Sequence, residues 1–201
     1  MKTVQSFLCI LIFLFVTASG AATASSGRNE ILFIDAAVHD AQTLTNTVQS
    51  EVEVVWLDTG KDGMEQIAAV LNGRSDIDTI HLISHGSSGQ LHLGTATLTL
   101  NSLARYSPEL AVIRKASKRT ADILLYGCSV AEGSIGKAFV RALAEATGTT
   151  VAASTDKTGA ADHGGNTTLE FSTNAVTSKV LVGLGHYKGV LESITYTFDS
   201  N

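Results

Sequence analysis

Two continuous apolar runs, each ending in a chemically reactive residue, constrain the fold of this chain more than any other feature. One is residues 123–125, which leads into Cys128, and the other lies within residues 79–85 and ends in His85. Such runs are typical of strands buried on both faces of a parallel sheet. Because the carboxyl ends of these strands share one edge, where open α/β sheets bind ligands, the sequence predicts a cysteine–histidine pair there.

The first 24 residues have the composition of a secretory signal peptide. Lys2 supplies a positive charge, residues 7–16 are apolar, and the following residues are small, with Ala22 and Ala24 flanking Thr23. The apolar stretch is too short for a comfortable membrane span. We therefore expect export to the periplasm, the cell surface or the medium, without stable membrane insertion after cleavage. An uncleaved anchor is the alternative.

Removal of the signal leaves Cys128 as the sole cysteine, because Cys9 lies within the removed part. No disulfide can then form within the chain. A lone thiol in an oxidising compartment is a liability unless it is buried, paired between chains, or used. Gly127 and Ser129 on either side favour a strand end followed by a loop. The alternative is a buried, inert cysteine.

Charge and length limit the class of protein further. The formal net charge is −5, and it becomes one unit more negative without Lys2, which disfavours nucleic acid or anionic lipid as a partner. The remaining chain has the length of one domain with a real core. We predict a single α/β domain over residues 28–192 and a tail or edge strand over residues 193–201.

Strand-like and helix-like segments alternate along the domain, which predicts a parallel, doubly wound sheet covered on both faces. Strands are predicted at residues 30–35, 52–58, 77–85, 122–128 and 150–154, and helices at residues 41–48, 63–71, 103–116 and 134–147. Pro108 is expected to bend or split the third helix. The buried face of the fourth helix is expected to carry Ile135, Phe139, Leu143 and Ala146. A hairpin is predicted at residues 90–100, and extended segments at residues 166–173, 178–185 and 194–198.

The predicted pair fits nucleophilic chemistry at a carbonyl carbon. A thiol attacks a carbonyl as the thiolate, so it benefits from an imidazole that accepts its proton and later protonates a leaving amine. Gly86, directly after His85, leaves room for a substrate backbone. Its N–H and that of Cys128 are candidates for binding the developing oxyanion. Two unrelated strand-end residues are the alternative.

The motifs resemble those of a known superfamily. A buried strand ending in S-H-G at residues 84–86, followed by one ending in Y-G-C-S at residues 126–129, resembles the caspase-like cysteine peptidases: caspases, metacaspases, legumains, gingipains, clostripain and separase. Four blocks, L-F-I-D, I-H-L-I-S-H-G, L-L-Y-G-C-x-V-A and A-A-S-T-D-x-T-G, also look like an uncharacterised bacterial family related to those peptidases. That family usually forms the amino-terminal module of large secreted proteins with adhesin-type repeats.

The resemblance implies a caspase-like three-layer sandwich with a mainly parallel central sheet. It implies His85 as general base and acid, Cys128 as nucleophile, and Gly86 with Cys128 as the oxyanion donors. No cofactor is implied. His81 and His85 have metal-binding side chains, but no third ligand is in view, so no metal site is predicted.

The same resemblance indicates where the side chain before the scissile bond would bind. The corresponding positions here are Asp35, Tyr126 and Asp156. Two carboxylates would suit an arginine or lysine side chain by charge pairing, which predicts cleavage after basic residues. The alternative is that Asp35 caps the following segment and Asp156 holds a turn.

The predicted function is that of a secreted cysteine endopeptidase that acts on peptides or proteins, including itself. Self-cleavage would use Lys115, Lys118, Arg119 or Lys157 as internal targets. The competing hypothesis is a catalytically inactive caspase-like module that serves binding or surface attachment.

Overall fold

The computed structural model describes residues 27–46, 48–181 and 186–192. Its strands are β1 (Glu30–Asp35), β2 (Val52–Leu57), β3 (Ile77–Ile83), β4 (Gly86–Ser87), β5 (Gln90–Leu93), β6 (Ala96–Thr99), β7 (Ser117–Tyr126), β8 (Thr150–Ala153) and β9 (Phe171–Ser172). Its α-helices are α1 (Gln42–Thr45), α2 (Gly63–Leu71), α3 (Ser107–Ala116) and α4 (Gly133–Thr147), and a single 3₁₀ turn spans Ala161–His163.

The main sheet has six strands in the order β2-β1-β3-β7-β8-β9. The first five strands run parallel to one another, and only β9 is antiparallel to its neighbour. A separate antiparallel sheet contains β4, β5 and β6. The predicted α/β fold with a mainly parallel central sheet is therefore confirmed, and the predicted hairpin is present as β5 and β6.

The two faces of the sheet are covered by different helices and loops. On β1, Ile31 and Phe33 pack into the apolar cluster that holds α2, α3 and α4, whereas Leu32 and Ile34 pack into a second cluster on the opposite face. This alternation follows from the two-residue period of a strand. The second cluster is closed by α1 and by Leu181, Tyr187 and Leu191 near the end of the described chain. The arrangement is consistent with a three-layer sandwich.

Pro108 lies in the first turn of α3 and does not bend or split the helix, so that expectation was wrong. The helix starts at Ser107 with the proline in its first turn, and residues 103–106 form turns. The physical reason is that the first turn of a helix has no internal acceptors for its N–H groups, so a proline there sacrifices no hydrogen bond.

Ile135 is not part of the buried face of α4, which corrects a second expectation. Its side chain is 66% exposed, whereas Phe139, Val140 and Leu143 are buried. The first turn of the helix lies beside the loop at Gly89, where a side chain would contact Ile135. Ile135 therefore lies toward the loop at Gly89 and not in the apolar cluster that contains Phe139, Val140 and Leu143.

Several predicted segments are shorter than expected or lie outside the described residues. The helix expected at residues 41–48 is reduced to α1, and only β9 forms a strand within residues 166–173. Residues 178–181 contain no strand. The predicted signal peptide, the tail at residues 193–201, with its expected strand at 194–198, and residues 182–185 lie outside the described part of the chain.

Candidate active site

The structure brings His85 and Cys128 to the same edge of the central sheet. The last paired residues of the parallel neighbours β3 and β7 are Ile83 and Tyr126. His85 and Cys128 each follow that pair by two residues, so they leave adjacent strands side by side at the carboxyl edge. This is the edge at which open α/β sheets bind their ligands.

The imidazole of His85 is oriented by a backbone carbonyl that sequence reasoning missed. Nε2 lies 3.4 Å from the carbonyl oxygen of Ala37, which follows β1 at the same edge. Because only a protonated nitrogen can donate to a carbonyl, this contact assigns the proton to Nε2 and leaves Nδ1 as the basic atom. Nδ1 is buried and has no hydrogen-bond partner among the described residues. It is therefore the atom available to accept a proton.

The thiol of Cys128 is covered and is held by the backbone of Thr158. The cysteine is 2% exposed, and its Sγ accepts from the Thr158 N–H at 3.3 Å and lies 3.5 Å from the Thr158 carbonyl oxygen. Burial raises the pKa of the thiol, as does the Glu192 carboxylate, while the N–H groups of Thr158 and Leu191 oppose that rise. In the part of the chain that the structure describes, no hydrogen bond joins the sulfur to His85.

The turn after β7 fixes the backbone of the cysteine. Ser129 has a φ of 58°, a conformation that non-glycine residues adopt rarely and that clusters at functional sites. Its N–H donates to the carbonyl oxygen of Asp156 at 2.6 Å. Across the site, a side chain at Gly86 would place its Cβ 2.6 Å from Val130 Cγ2 and 3.2 Å from the carbonyl oxygen of Cys128. The close approach of these two loops therefore requires glycine at position 86.

The backbone N–H groups of Gly86 and Cys128 converge on one carbonyl oxygen. Both donate to the oxygen of Leu191, at 3.1 and 3.2 Å respectively. The N–H of Leu191 in turn donates to Thr158, the residue that holds the sulfur, at 2.9 Å. A peptide carbonyl thus lies beside the thiol with two donors aimed at its oxygen, which is the geometry of an oxyanion hole.

The two predicted pocket carboxylates are engaged in turns. Asp35 is 2% exposed, and its oxygens accept from the N–H groups of Ala37 at 2.8 Å and Gly94 at 2.6 Å. Asp156 is exposed, and it accepts from Asn166 Nδ2 at 2.9 and 3.1 Å. These contacts fit the alternative in which Asp35 caps the following segment and Asp156 holds a turn.

Tyr126 is fully buried and lies in the same apolar cluster as Cys128 and Leu191. Its hydroxyl accepts from the N–H of Leu181 at 3.1 Å and contacts His81 Nδ1 at 3.2 Å. Burial raises the pKa of the phenol well above its ordinary value. The structure therefore buries the Tyr126 ring in the cluster that contains Cys128 and Leu191, and Asp35 and Asp156 accept their hydrogen bonds from different segments of the chain.

The contacts that sequence reasoning missed are made mainly by backbone atoms. Ala37, Thr158 and Leu191 act through their carbonyl or N–H groups, which any residue type supplies. Their side chains therefore carry no signal of these roles. The one available signal was topological, since Ala37 follows a strand that ends at the same edge.

Residues 27–46, 48–181 and 186–192 contain no group of three or more His, Cys, Asp or Glu residues that could hold a metal ion. Within those same ranges, no helix has the length and apolar character needed to cross a bilayer.

Fold and site together define an α/β protein with a histidine and a cysteine at the carboxyl ends of adjacent parallel strands. The model of a family described as a domain of unknown function, DUF4347, matches residues 31–191. The chain belongs to that family, and the match contains His85, Cys128 and Leu191. No curated protein matches the sequence.

Proposed function

We propose that this domain is a cysteine endopeptidase of the caspase-like superfamily. The observation that carries the proposal is the convergence of the Gly86 and Cys128 N–H groups on a single peptide carbonyl beside the thiol. Two donors aimed at a carbonyl oxygen stabilise the negative charge that develops when a nucleophile adds to its carbon, a contribution of about 3–4 kcal/mol per donor in peptidases. The parallel sheet and the placement of His85 and Cys128 after neighbouring strands support the same class.

Each group has a defined task in the proposed reaction. Nδ1 of His85 removes the proton of Cys128, and the thiolate adds to the carbonyl carbon while both backbone N–H groups bind its oxygen. The imidazolium then protonates the departing amine, which leaves an acyl group on the sulfur. Water activated by His85 releases the acid. The carbonyl of Ala37 keeps the proton on Nε2 throughout, so Nδ1 is the nitrogen that accepts and returns the transferred proton.

Export forms part of the proposal and is supported by the sequence of residues 1–24. An apolar run behind Lys2 and before a cluster of small residues is the pattern of a cleavable signal. We propose that the mature domain acts on peptides or proteins in the periplasm, at the cell surface or in the medium.

A non-catalytic module is the second candidate, and one observation favours it. Cys128 is buried, its thiol pKa is raised by that burial, and its hydrogen bonds go to Thr158. An inert cysteine under a binding surface would look the same. The two candidates differ in whether His85 changes the chemistry of the sulfur.

Alkylation of Cys128 by iodoacetamide separates the two candidates. Because the thiol pKa is raised, the thiolate fraction, and with it the alkylation rate, is expected to rise with pH through the alkaline range. His85→Ala is expected to slow alkylation at neutral pH about tenfold, because the variant lacks the imidazole that is proposed to take the proton of the thiol. Mass spectrometry of the peptide that contains Cys128 measures the rate.

His163→Ala is the matched control, because His163 is exposed, lies in the 3₁₀ turn, and makes no side-chain hydrogen bond to Cys128 or Thr158 among the described residues. It is expected to leave the rate unchanged. Equal rates in the parent and in His85→Ala across the whole pH range would contradict the peptidase proposal and favour the binding module.

A further inference from the structure

The segment at residues 189–192, named here the docked segment, lies in the site as an extended peptide. On one side it pairs with the loop that holds the sulfur. The N–H of Ala160 donates to the carbonyl of Gly189 at 2.8 Å, and the N–H of Leu191 donates to that of Thr158 at 2.9 Å. The pairing is antiparallel. Addition of a strand in this way is a common mode by which proteins bind extended peptides.

The other side of the docked segment contacts the loop after β3. Gly86 forms a parallel bridge with Glu192, and the carbonyl of Leu191 accepts from both Gly86 and Cys128. The peptide is therefore held from both sides at the one bond whose carbonyl lies in the oxyanion hole. That bond joins Leu191 to Glu192.

The side chain of Leu191 is completely buried. It belongs to the apolar cluster that contains Val38, Tyr126 and Cys128, beneath the site. Glu192 points the other way, toward Lys157, whose Nζ lies 3.1 Å from its carboxylate with both side chains about half exposed. The residue before the bond thus has an apolar pocket, and the residue after it lies at the solvent side.

We propose that the peptide bond between Leu191 and Glu192 is this site's own substrate, cut within the same molecule, and that the site selects a bulky aliphatic side chain before the scissile bond. This inference rests on the proposed cysteine endopeptidase activity. It differs from self-cleavage after basic residues. Lys115 lies inside α3, and Lys118 and Arg119 lie at the amino end of β7. The site is at the carboxyl ends of the strands, so none of these three residues is presented to it.

The reaction balances with water as the only co-reactant. His85 takes the proton of the Cys128 thiol, and a bond forms between the sulfur and the carbonyl carbon of Leu191. The C–N bond to Glu192 breaks, and its nitrogen takes the proton and leaves as an amine. Water then adds to the thioester, the C–S bond breaks, and Leu191 gains a free carboxylate while the thiol is restored.

Incubation of the purified full chain, followed by intact mass measurement, tests the inference. We expect one product that ends at Leu191 and a peptide that begins at Glu192. Because the segment is bound in the same molecule, the rate constant should not change with protein concentration. Cys128→Ala should remain uncut. A peptide bond cut elsewhere, or a rate that is second order in protein, would overturn the inference.

Paired glycine variants test whether docking in this position is required. A side chain at Gly159 would place its Cβ 2.3 Å from the carbonyl oxygen of Gly189, whereas one at Gly164 would meet nothing within 4 Å. Both glycines have positive φ, 137° at Gly159 and 74° at Gly164, so Gly164→Ala controls for the loss of a loop glycine, and Cys128-dependent hydrolysis of a supplied peptide by Gly159→Ala shows whether the added strain has damaged the site itself. We expect Gly159→Ala to slow cleavage after Leu191 at least tenfold and Gly164→Ala to leave it unchanged. Equal rates in the two variants would contradict the inference.

The same incubation with a supplied peptide library separates this inference from the function on which it rests. Hydrolysis of library peptides that depends on Cys128, with the bond after Leu191 intact, would overturn self-cleavage and leave the endopeptidase proposal standing. In that case the docked segment would be an inhibitor. No hydrolysis of either, together with alkylation of Cys128 that is independent of His85, would overturn both.

Discussion

Replacing Cys128 with alanine is expected to reduce peptide-bond hydrolysis by a factor of about 10⁴ or more, because the variant loses the nucleophile and with it the acyl-enzyme route. The alanine side chain still fits the space left by the sulfur, and its N–H still points at the carbonyl. Substrate binding should therefore persist while the chemical step disappears. The measurement is kcat/KM for a hydrolysed library peptide, compared between the parent and the variant.

His85→Ala should cause a loss of about 10²–10⁴, the range typical of a general acid–base group. His163→Ala serves as its control, since that histidine is exposed. A Cys128→Ala protein that hydrolyses peptides as fast as the parent would remove the proposed mechanism. An unchanged rate in His85→Ala would also remove it, because Nδ1 of His85 is the proposed proton acceptor for the thiol.

A leucine before the scissile bond is expected to be preferred over arginine by about 10- to 10²-fold in kcat/KM. Full burial of a leucine side chain contributes about 1.5–3 kcal/mol, and each 1.4 kcal/mol corresponds to a factor of ten. An arginine in the same apolar cluster would bury a positive charge without a partner. The two candidate carboxylates, Asp35 and Asp156, already accept hydrogen bonds from other groups.

Peptides that differ only at this position measure the preference, with Cys128→Ala as the blank. The sequence-based prediction of cleavage after arginine or lysine gives the opposite ranking, so one assay decides between the two expectations. A preference for basic residues would contradict the assignment of the Leu191 cluster as the specificity pocket. It would then point to a rearrangement that frees Asp35 or Asp156.

Much of the fold could be predicted from the sequence because its central strands are buried on both faces. The run before Cys128 is continuously apolar, and the run before His85 has apolar residues on both faces, Ile80 and Leu82 on one and Ile83 on the other, which distinguishes both from strands exposed on one face. Their parallel pairing then placed two strand ends side by side without any knowledge of side-chain contacts. The helical spacing of apolar residues wrongly assigned Ile135 to the buried face of α4, because that spacing does not show which turn of a helix the neighbouring elements leave uncovered.

The contents of the site were less predictable, for two physical reasons. Its orienting groups include the carbonyl of Ala37 and the N–H of Thr158, and backbone atoms leave no residue-type signature. The docked segment is also far from Cys128 in sequence. Nothing in the apolar pair Val190 and Leu191 distinguishes a peptide bound in a cleft from an ordinary strand.

Reaction with peptidyl acyloxymethyl ketones tests the central claim, that His85 and Cys128 form one catalytic unit, most directly. These probes alkylate a cysteine nucleophile that is activated by its site. A mixture of probes with leucine or arginine next to the reactive ketone is used, so that the result does not depend on which residue the site prefers before the scissile bond. The parent chain and Gly159→Ala, in which the docked segment is expected to be displaced, are both labelled. The labelled residue is then identified by mass spectrometry. We expect one adduct per folded chain, on Cys128, that forms much more slowly in His85→Ala. An unlabelled Cys128, or labelling that does not change in His85→Ala, would contradict it.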